Sequence, residues 1–323
     1  MNENFNLTDD VKKFLDELTL EGGKPVFEMT PTEARKFLNT IQQKYSQPQD
    51  ADTEDRTILT DSGGEVDVRI FRPKENRQKL PAIIYSHGGG WVMGDKDDFD
   101  SLMKRLSAKA QATVIFVNYS RSPEAKYPKA LNEIYGVMEY VYYNPDEFNI
   151  DKDKIVVAGD SAGANMTAAA LVRAKLAQSP KISGQILFYP VCDTSMNSKS
   201  YNVFKNGPWL SKKAMEYFFD AYLSSEKLKG DKFVSILKME EKDLENLPPT
   251  LLITDENDVL RDEGEKFAKK LEQAGVKVQN FRSGGTIHDF MLLNALQDSA
   301  QVKAVFALVT EFLQTIFDDK KPE

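Results

Sequence analysis

Cysteine occurs once in this 323-residue chain and histidine only twice. The lone Cys192 excludes an internal disulfide and suits a reducing compartment, so a cytoplasmic setting is expected. Two histidines mean that any chemistry needing an imidazole must draw on His87 or His288. Long apolar runs are missing as well. None approaches the ~18 residues of a membrane span, and the polar, acidic start MNENFNLTDD resembles neither a signal nor a transit peptide. Excess positive charge is also absent. A net charge of −8 opposes nucleic acid as a partner and the long-range capture of acidic substrates, so neutral small molecules suit the chain better. There are no internal repeats and no low-complexity tract. What remains, 41% hydrophobic and 28% charged residues, is the composition of a soluble globular protein. The length suffices for one large domain with insertions or two modest ones.

Two helical stretches open the chain. Val11–Leu18 follows Thr8 as a capping candidate, and the second begins at Thr30-Pro31-Thr32-Glu33, a cap, a proline and a returning glutamate. Residues Ser46–Asp55 read as a polar linker. Strand-length apolar segments follow at Val66–Phe71, Ala82–Ser86, Thr113–Tyr119, Lys154–Ala158, Gln185–Tyr189, Thr250–Thr254 and Val276–Phe281. Helical patterns lie between most of them, at Phe99–Ala110, Lys129–Tyr143, Asn165–Ala177 and Asp262–Ala274, with a last one at Ala295–Phe317. Continuously apolar strands alternating with helices predict an α/β fold, a mostly parallel sheet with helices on both faces. Thr194–Leu247 breaks the alternation. It has no convincing strand, is rich in aromatics, and is too long for an ordinary connection. It reads as a helical insertion over the carboxyl ends of the strands, where ligands bind in open α/β sheets. The plainer alternative is a peripheral helical bundle away from any site.

The chemistry centres on Gly159-Asp160-Ser161-Ala162-Gly163, directly behind the apolar run Ile155–Ala158. A strand that stops at small residues and hands over to an alanine-rich helix makes a tight, strained turn that lifts the Ser161 hydroxyl above the sheet. A serine hydroxyl is a weak nucleophile and needs a base. His288 supplies one from the glycine-containing loop Gly284–Phe290, late in the chain and beyond a strand. His87 opens His87-Gly88-Gly89-Gly90-Trp91, whose glycines leave backbone N–H groups unobstructed. Gly89 and Gly90, with the N–H of Ala162, are the candidate donors to an oxyanion, and His87 is expected to orient that loop. A carboxylate should fix the base. Leu251–Gly264 offers Asp258 first and Asp255 second, with Asp262 and Glu263 in the next helix's first turn. Trp91, Phe290 and Trp209 are candidate walls of a substrate pocket, although aromatics are more often plain core.

Taken together, the HGGGW loop, Tyr119-Ser120-Arg121-Ser122-Pro123-Glu124, GDSAG, DVLRDEG and HDF resemble the hormone-sensitive lipase family, the bacterial family IV carboxylesterases. The likeness runs from about Val66 to the C-terminus. It implies an α/β-hydrolase fold as one domain over residues 1–323, with a helical cap built from about 1–50 and 194–247. It places the catalytic acid on Asp258, completing the order Ser161, Asp258, His288. The implied activity is hydrolysis of short-chain carboxylic esters through an acyl-enzyme, with a small-molecule ester as partner and no metal or organic cofactor. A homodimer is left open. The chain departs from the family's pattern at Val259, where proline is usual, at Asp289, where glycine is usual, and at Ala164, where a second glycine is common. Its Tyr-Ser-Arg-Ser-Pro-Glu also replaces Tyr-Arg-Leu-Ala-Pro-Glu. A lipase or amidase with the same triad, and a non-catalytic ligand-binding relative, are the rival readings. An oligopeptidase is disfavoured, because nothing N-terminal resembles a propeller.

Overall fold

Strands that are apolar along their whole length need cover on both faces, and here they occupy the middle of one sheet. The computed structural model describes residues 5–318. In chain order the elements are α1 (Asp9–Glu21), α2 (Pro31–Lys44), β1 (Asp52–Thr60), β2 (Gly64–Arg72), β3 (Leu80–Ser86), α3 (Asp100–Ala110), β4 (Thr113–Asn118), α4 (Lys129–Tyr143), β5 (Ile150–Asp160) and α5 (Ser161–Ala177). They continue with β6 (Gly184–Phe188), α6 (Lys199–Val203), α7 (Lys212–Tyr222), α8 (Glu241–Leu244), β7 (Thr250–Asn257), α9 (Arg261–Gln273), β8 (Val278–Ile287) and α10 (Ala300–Asp318). The eight strands lie in the order β1-β2-β4-β3-β5-β6-β7-β8. β2 runs antiparallel to both β1 and β4, and the remaining pairings are parallel. The expected mostly parallel sheet is therefore present.

Differences from the sequence reading fall where burial is one-sided. Part of the supposed linker at 46–55 is the start of β1. It is an edge strand with an exposed outer face, on which even Leu59 is 71% exposed, so an apolar pattern is missing there. β8, the other edge, continues past Phe281 to Ile287, with Arg282 and Gly284 exposed and Ser283, Gly285, Thr286 and Ile287 buried. Thr30 forms a full capping box with Glu33, as its sequence predicts. Thr8 does stand at the N-cap of α1, but its hydroxyl does not cap; its backbone N–H instead donates to the Gly285 carbonyl at 3.1 Å. The last helix starts at Ala300, after a single turn at Asn294–Leu296.

α10 is long and apolar enough, by length and composition alone, to cross a membrane. Val302, Val305, Phe306, Val309, Phe312 and Leu313 bury one face of it in the core, and that accounts for its apolar character. α5 is buried on nearly all sides, so alanine and glycine are what let β3 and β5 lie close against it.

Candidate active site

β5 passes into α5 with almost no space to spare. A Cβ on Gly163 would lie 2.0 Å from the Ser86 carbonyl oxygen, and one on Gly159 would lie 2.7 Å from that same atom. Between these glycines Ser161 is held at φ +52°, a left-handed conformation that costs a non-glycine residue energy and marks a constrained turn. Its hydroxyl reaches His288, with Oγ 2.8 Å from Nε2. On the other side of the ring, Nδ1–H donates to Asp258 Oδ2 at 2.7 Å, and Asp258 Oδ1 accepts the Leu260 N–H at 3.0 Å. Ser161, His288 and Asp258 are 3%, 2% and 1% exposed. Burial alone disfavours a charged imidazole, but the carboxylates of Asp258, Asp289 and Asp255 outweigh it and hold His288 above the ordinary histidine range.

Of the other acids of this stretch, Asp255 stands beside the base, while Asp262 and Glu263 face elsewhere. Asp255 Oδ2 lies 4.0 Å from His288 Nδ1. Asp262 accepts the Ser200 N–H at 2.7 Å. Glu263 accepts the N–H groups of Cys192 and Asp193 at 2.7 and 3.2 Å.

The loop that carries His288 is set by a register break. Asp255 pairs with Ser283, but Asn257 pairs with Ile287, so β8 bulges at Gly284 and Gly285. Such a bulge re-aims the side chains beyond it. It is held from three directions. Glu256 Oε2 accepts the Gly285 N–H at 2.6 Å, and Asn6 Nδ2 donates to both Glu256 oxygens. Asn257 Nδ2 donates to the carbonyls of Asn6 and Thr286. No sequence signal pointed to Asn6, because its partners are 250 residues away.

The glycine loop is braced as tightly. Asp160 Oδ1 accepts both the Gly88 N–H and the Tyr85 hydroxyl at 2.9 Å. Burial first, and then the charge of Asp289, push its carboxyl up to about 8. His87 Nδ1–H donates to the Gly88 carbonyl at 2.8 Å, and its ring stacks on Tyr119 with centroids 4.0 Å apart. Burial brings His87 down to about 3, so it stays neutral and orients the loop, as expected of it. Gly90 has φ +60°, and a Cβ there would meet the Phe218 ring at 2.3 Å. The N–H of Ala162 sits in the first turn of α5, where no intrahelical acceptor exists.

The Tyr119–Glu124 stretch is the loop's outer support. Tyr119 donates to the His87 carbonyl, Arg121 to the Gly94 carbonyl, and the Ser122 N–H to the Trp91 carbonyl. Arg35 from α2 adds a fork that the sequence reading missed. It donates to the carbonyls of Val92 (2.8 Å) and Ser122 (3.0 Å) and grips Glu124 through both carboxylate oxygens.

The three aromatic candidates differ. Trp91 is buried and stacks on Tyr222 of α7 with centroids 4.3 Å apart. Phe290 is buried against Tyr189. Trp209, from the insertion, donates its indole N–H to Asp289 Oδ2 at 2.9 Å and packs against Phe14 of α1 and Phe37 of α2. Asp289 Oδ1 lies 3.5 Å from His288 Nε2, on the Ser161 side of the ring. The insertion thus reaches both the glycine loop and the histidine loop.

A sheet with one antiparallel edge, a strained serine after its central strand and a histidine loop after its last strand define an α/β hydrolase. A family model described as the alpha/beta hydrolase fold matches residues 83–292. A protein of Acanthamoeba polyphaga mimivirus named as an alpha/beta hydrolase is 42% identical, over 98% of this chain and 90% of its own length. An ethyl acetate hydrolase of Pseudomonas putida is 31% identical over 80% of this chain and 81% of its own. The crystal structure of a thermostable esterase from Pseudomonas putida ECU1011 superposes with a TM-score of 0.94 at 34% identity, covering 98% of each chain. This chain belongs to the α/β-hydrolase family of the hormone-sensitive lipase, or family IV esterase, type.

Proposed function

We propose that the protein is a serine carboxylesterase whose reaction runs through Ser161, His288 and Asp258. The observation that carries this reading is the unbroken chain of hydrogen bonds from Ser161 Oγ through His288 to Asp258. Asp258 fixes the tautomer that leaves Nε2 free to accept. Ser161 Oγ attacks the ester carbonyl as its proton passes to Nε2. The resulting oxyanion is held by the N–H groups of Gly89, Gly90 and Ala162. His288 then gives the proton to the departing alcohol, and the C–O bond to it breaks. Water repeats the sequence on the acyl-enzyme, releasing the acid and restoring Ser161. No step calls for a metal or an organic cofactor.

Small neutral esters with short acyl chains are the substrate class this reading favours. Support comes from the closed, aromatic surroundings of Ser161 and from the name of the ethyl acetate hydrolase among the relatives. In this reading residues of about 1–50 and 194–247 act as a cap whose Trp209, with Trp91 and Phe290, walls the pocket. A cytoplasmic location rests on the lone Cys192, and a homodimer is a matter for sedimentation measurements. The test is hydrolysis of p-nitrophenyl esters from C2 to C12, alongside an amide counterpart. The expected result is a maximum at C2–C4 with little amide cleavage. Ser161→Ala and His288→Ala should each remove activity, and a fluorophosphonate should label Ser161. Full activity in either variant would refute the triad, and a maximum at C12 would make the protein a lipase.

A further inference from the structure

Asp255 stands at the end of β7, fully buried, and neither of its carboxylate oxygens has a hydrogen-bond partner. An unpaired buried carboxylate is among the costliest groups to keep in a protein interior. The mechanism above gives it nothing to do. One oxygen of Asp255, one of Asp258 and a ring nitrogen of His288 nevertheless all lie within 4.8 Å of one another. Two carboxylates so close in a dry site do not both ionise. Asp258 accepts two N–H groups, from His288 and Leu260, so both of its oxygens are engaged. The side-chain donor beside Asp255 is the Thr286 hydroxyl, which donates to the Ser283 carbonyl at 2.9 Å.

We propose that Asp255 is a reserve acid of this triad, a positioning residue that shares one proton with Asp258 and takes over the hydrogen bond from His288 Nδ1 when Asp258 is removed. The proposal rests on the triad reading above. To reach hydrogen-bond range of Nδ1, Asp255 Oδ2 must close about 1 Å, a shift that loss of the Asp258 side chain leaves room for. The titratable groups facing Asp255 are Asp258 after β7, His288 and Asp289 after β8, and Tyr189 after β6. Burial first, and then the charge of Asp258, hold Asp255 above the ordinary carboxylate range. Without Asp258 that opposing charge is gone. The proton on Asp255 then passes to solvent, and its carboxylate accepts Nδ1–H.

The experiment compares Asp258→Ala, Asp258→Asn, and Asp258→Ala combined with Asp255→Asn, on p-nitrophenyl acetate, with Ser161→Ala as the blank. Circular dichroism and a denaturant melt establish the folded fraction of each variant, and Asp258→Ser replaces the alanine variant if that is not recovered folded. A triad with a lone acid loses ~10⁴ in kcat when that acid becomes an amide. Asp258→Ala is expected to lose roughly 10² or less, and the double variant the full ~10⁴. Asp258→Asn should match the double variant, because the Leu260 N–H holds Oδ1 and turns the amide N–H₂ toward Nδ1. The pH profile of Asp258→Ala should carry a limb from Asp255 in addition to that of His288, and the double variant should keep only the His288 limb. Equal rates and equal pH profiles for Asp258→Ala and the double variant overturn the reserve acid and leave the triad standing. Activity persisting in Ser161→Ala overturns the triad itself.

Discussion

Asp289 sits at φ +66° directly after the base, one oxygen held by Trp209 and the other 3.5 Å from His288 Nε2. Its charge favours the imidazolium, and the base works only when neutral. The acid limb of the pH profile of kcat/KM is therefore expected above the ordinary histidine value, with activity still climbing into the alkaline range. Asp289→Asn removes a negative charge, makes the imidazolium less favourable, and should move that limb to lower pH. A limb that stays put or moves up would show that Asp289 does not act on the base. Gly90 is as exposed to test. Gly90→Ala forces a side chain into φ +60° and onto the Phe218 ring, displacing a proposed oxyanion donor. Loss of one such donor costs ~10²–10³ in kcat, and steady-state kinetics on a short ester reads it directly.

At the scale of elements, the N-terminal helices pack against the loops of the proposed site. α2 holds the glycine loop through the Arg35 fork on Val92, Ser122 and Glu124. Lysine brings one point charge where arginine brings a planar fork. Arg35→Lys is therefore expected to cost about 1–3 kcal/mol of stability and to lower kcat through the loosened loop, as read by denaturant melts beside kinetics. An unchanged melt with unchanged kcat would remove Arg35 from this role. The segment before α1 does for the histidine loop what Arg35 does for the glycine loop, through Asn6 on Glu256 and Asn257 and through Thr8 on Gly285. The α2 capping box is a purely local device by comparison. Thr30→Ala should cost about 1 kcal/mol without touching the chemistry.

At the scale of the molecule, the ends of β5, β7 and β8 bring Ser161, Asp258 and His288 together, and α1, α2 and the insertion meet beside them. Trp209 is the joint, touching α1, α2 and Asp289 at once. The chain has only two tryptophans, so fluorescence isolates this joint. Labelling Ser161 with a fluorophosphonate should shift the emission of the wild type, and Trp209→Phe should abolish most of that shift, leaving the buried Trp91. Emission indifferent to labelling would mean that the cap does not respond to the occupied site. Much of this architecture was legible beforehand. The strand–glycine–serine–helix turn and the glycine loop are contiguous, and the helices between apolar strands announce themselves by period. β1 was not legible, because an edge strand with a wet outer face carries no such pattern.

What the sequence by itself determined is what depends on short stretches of backbone: Ser161 on its strained turn between Gly159 and Gly163, and the glycine loop at Gly88–Gly90, from which the proposed oxyanion donors come. Glycines and apolar runs report local dihedrals and burial, and those are properties of neighbouring residues. The tertiary structure alone decided which partners meet across the chain. The strand-end stretch ranked Asp258 first and Asp255 second, and the family likeness took the first. The 2.7 and 4.0 Å distances to His288 follow from a bulge in β8 and a brace from Asn6. The Trp209–Asp289 bond joins residues 80 apart and is set by how the insertion packs. Such contacts arise from the packing of distant elements, and no local pattern records them.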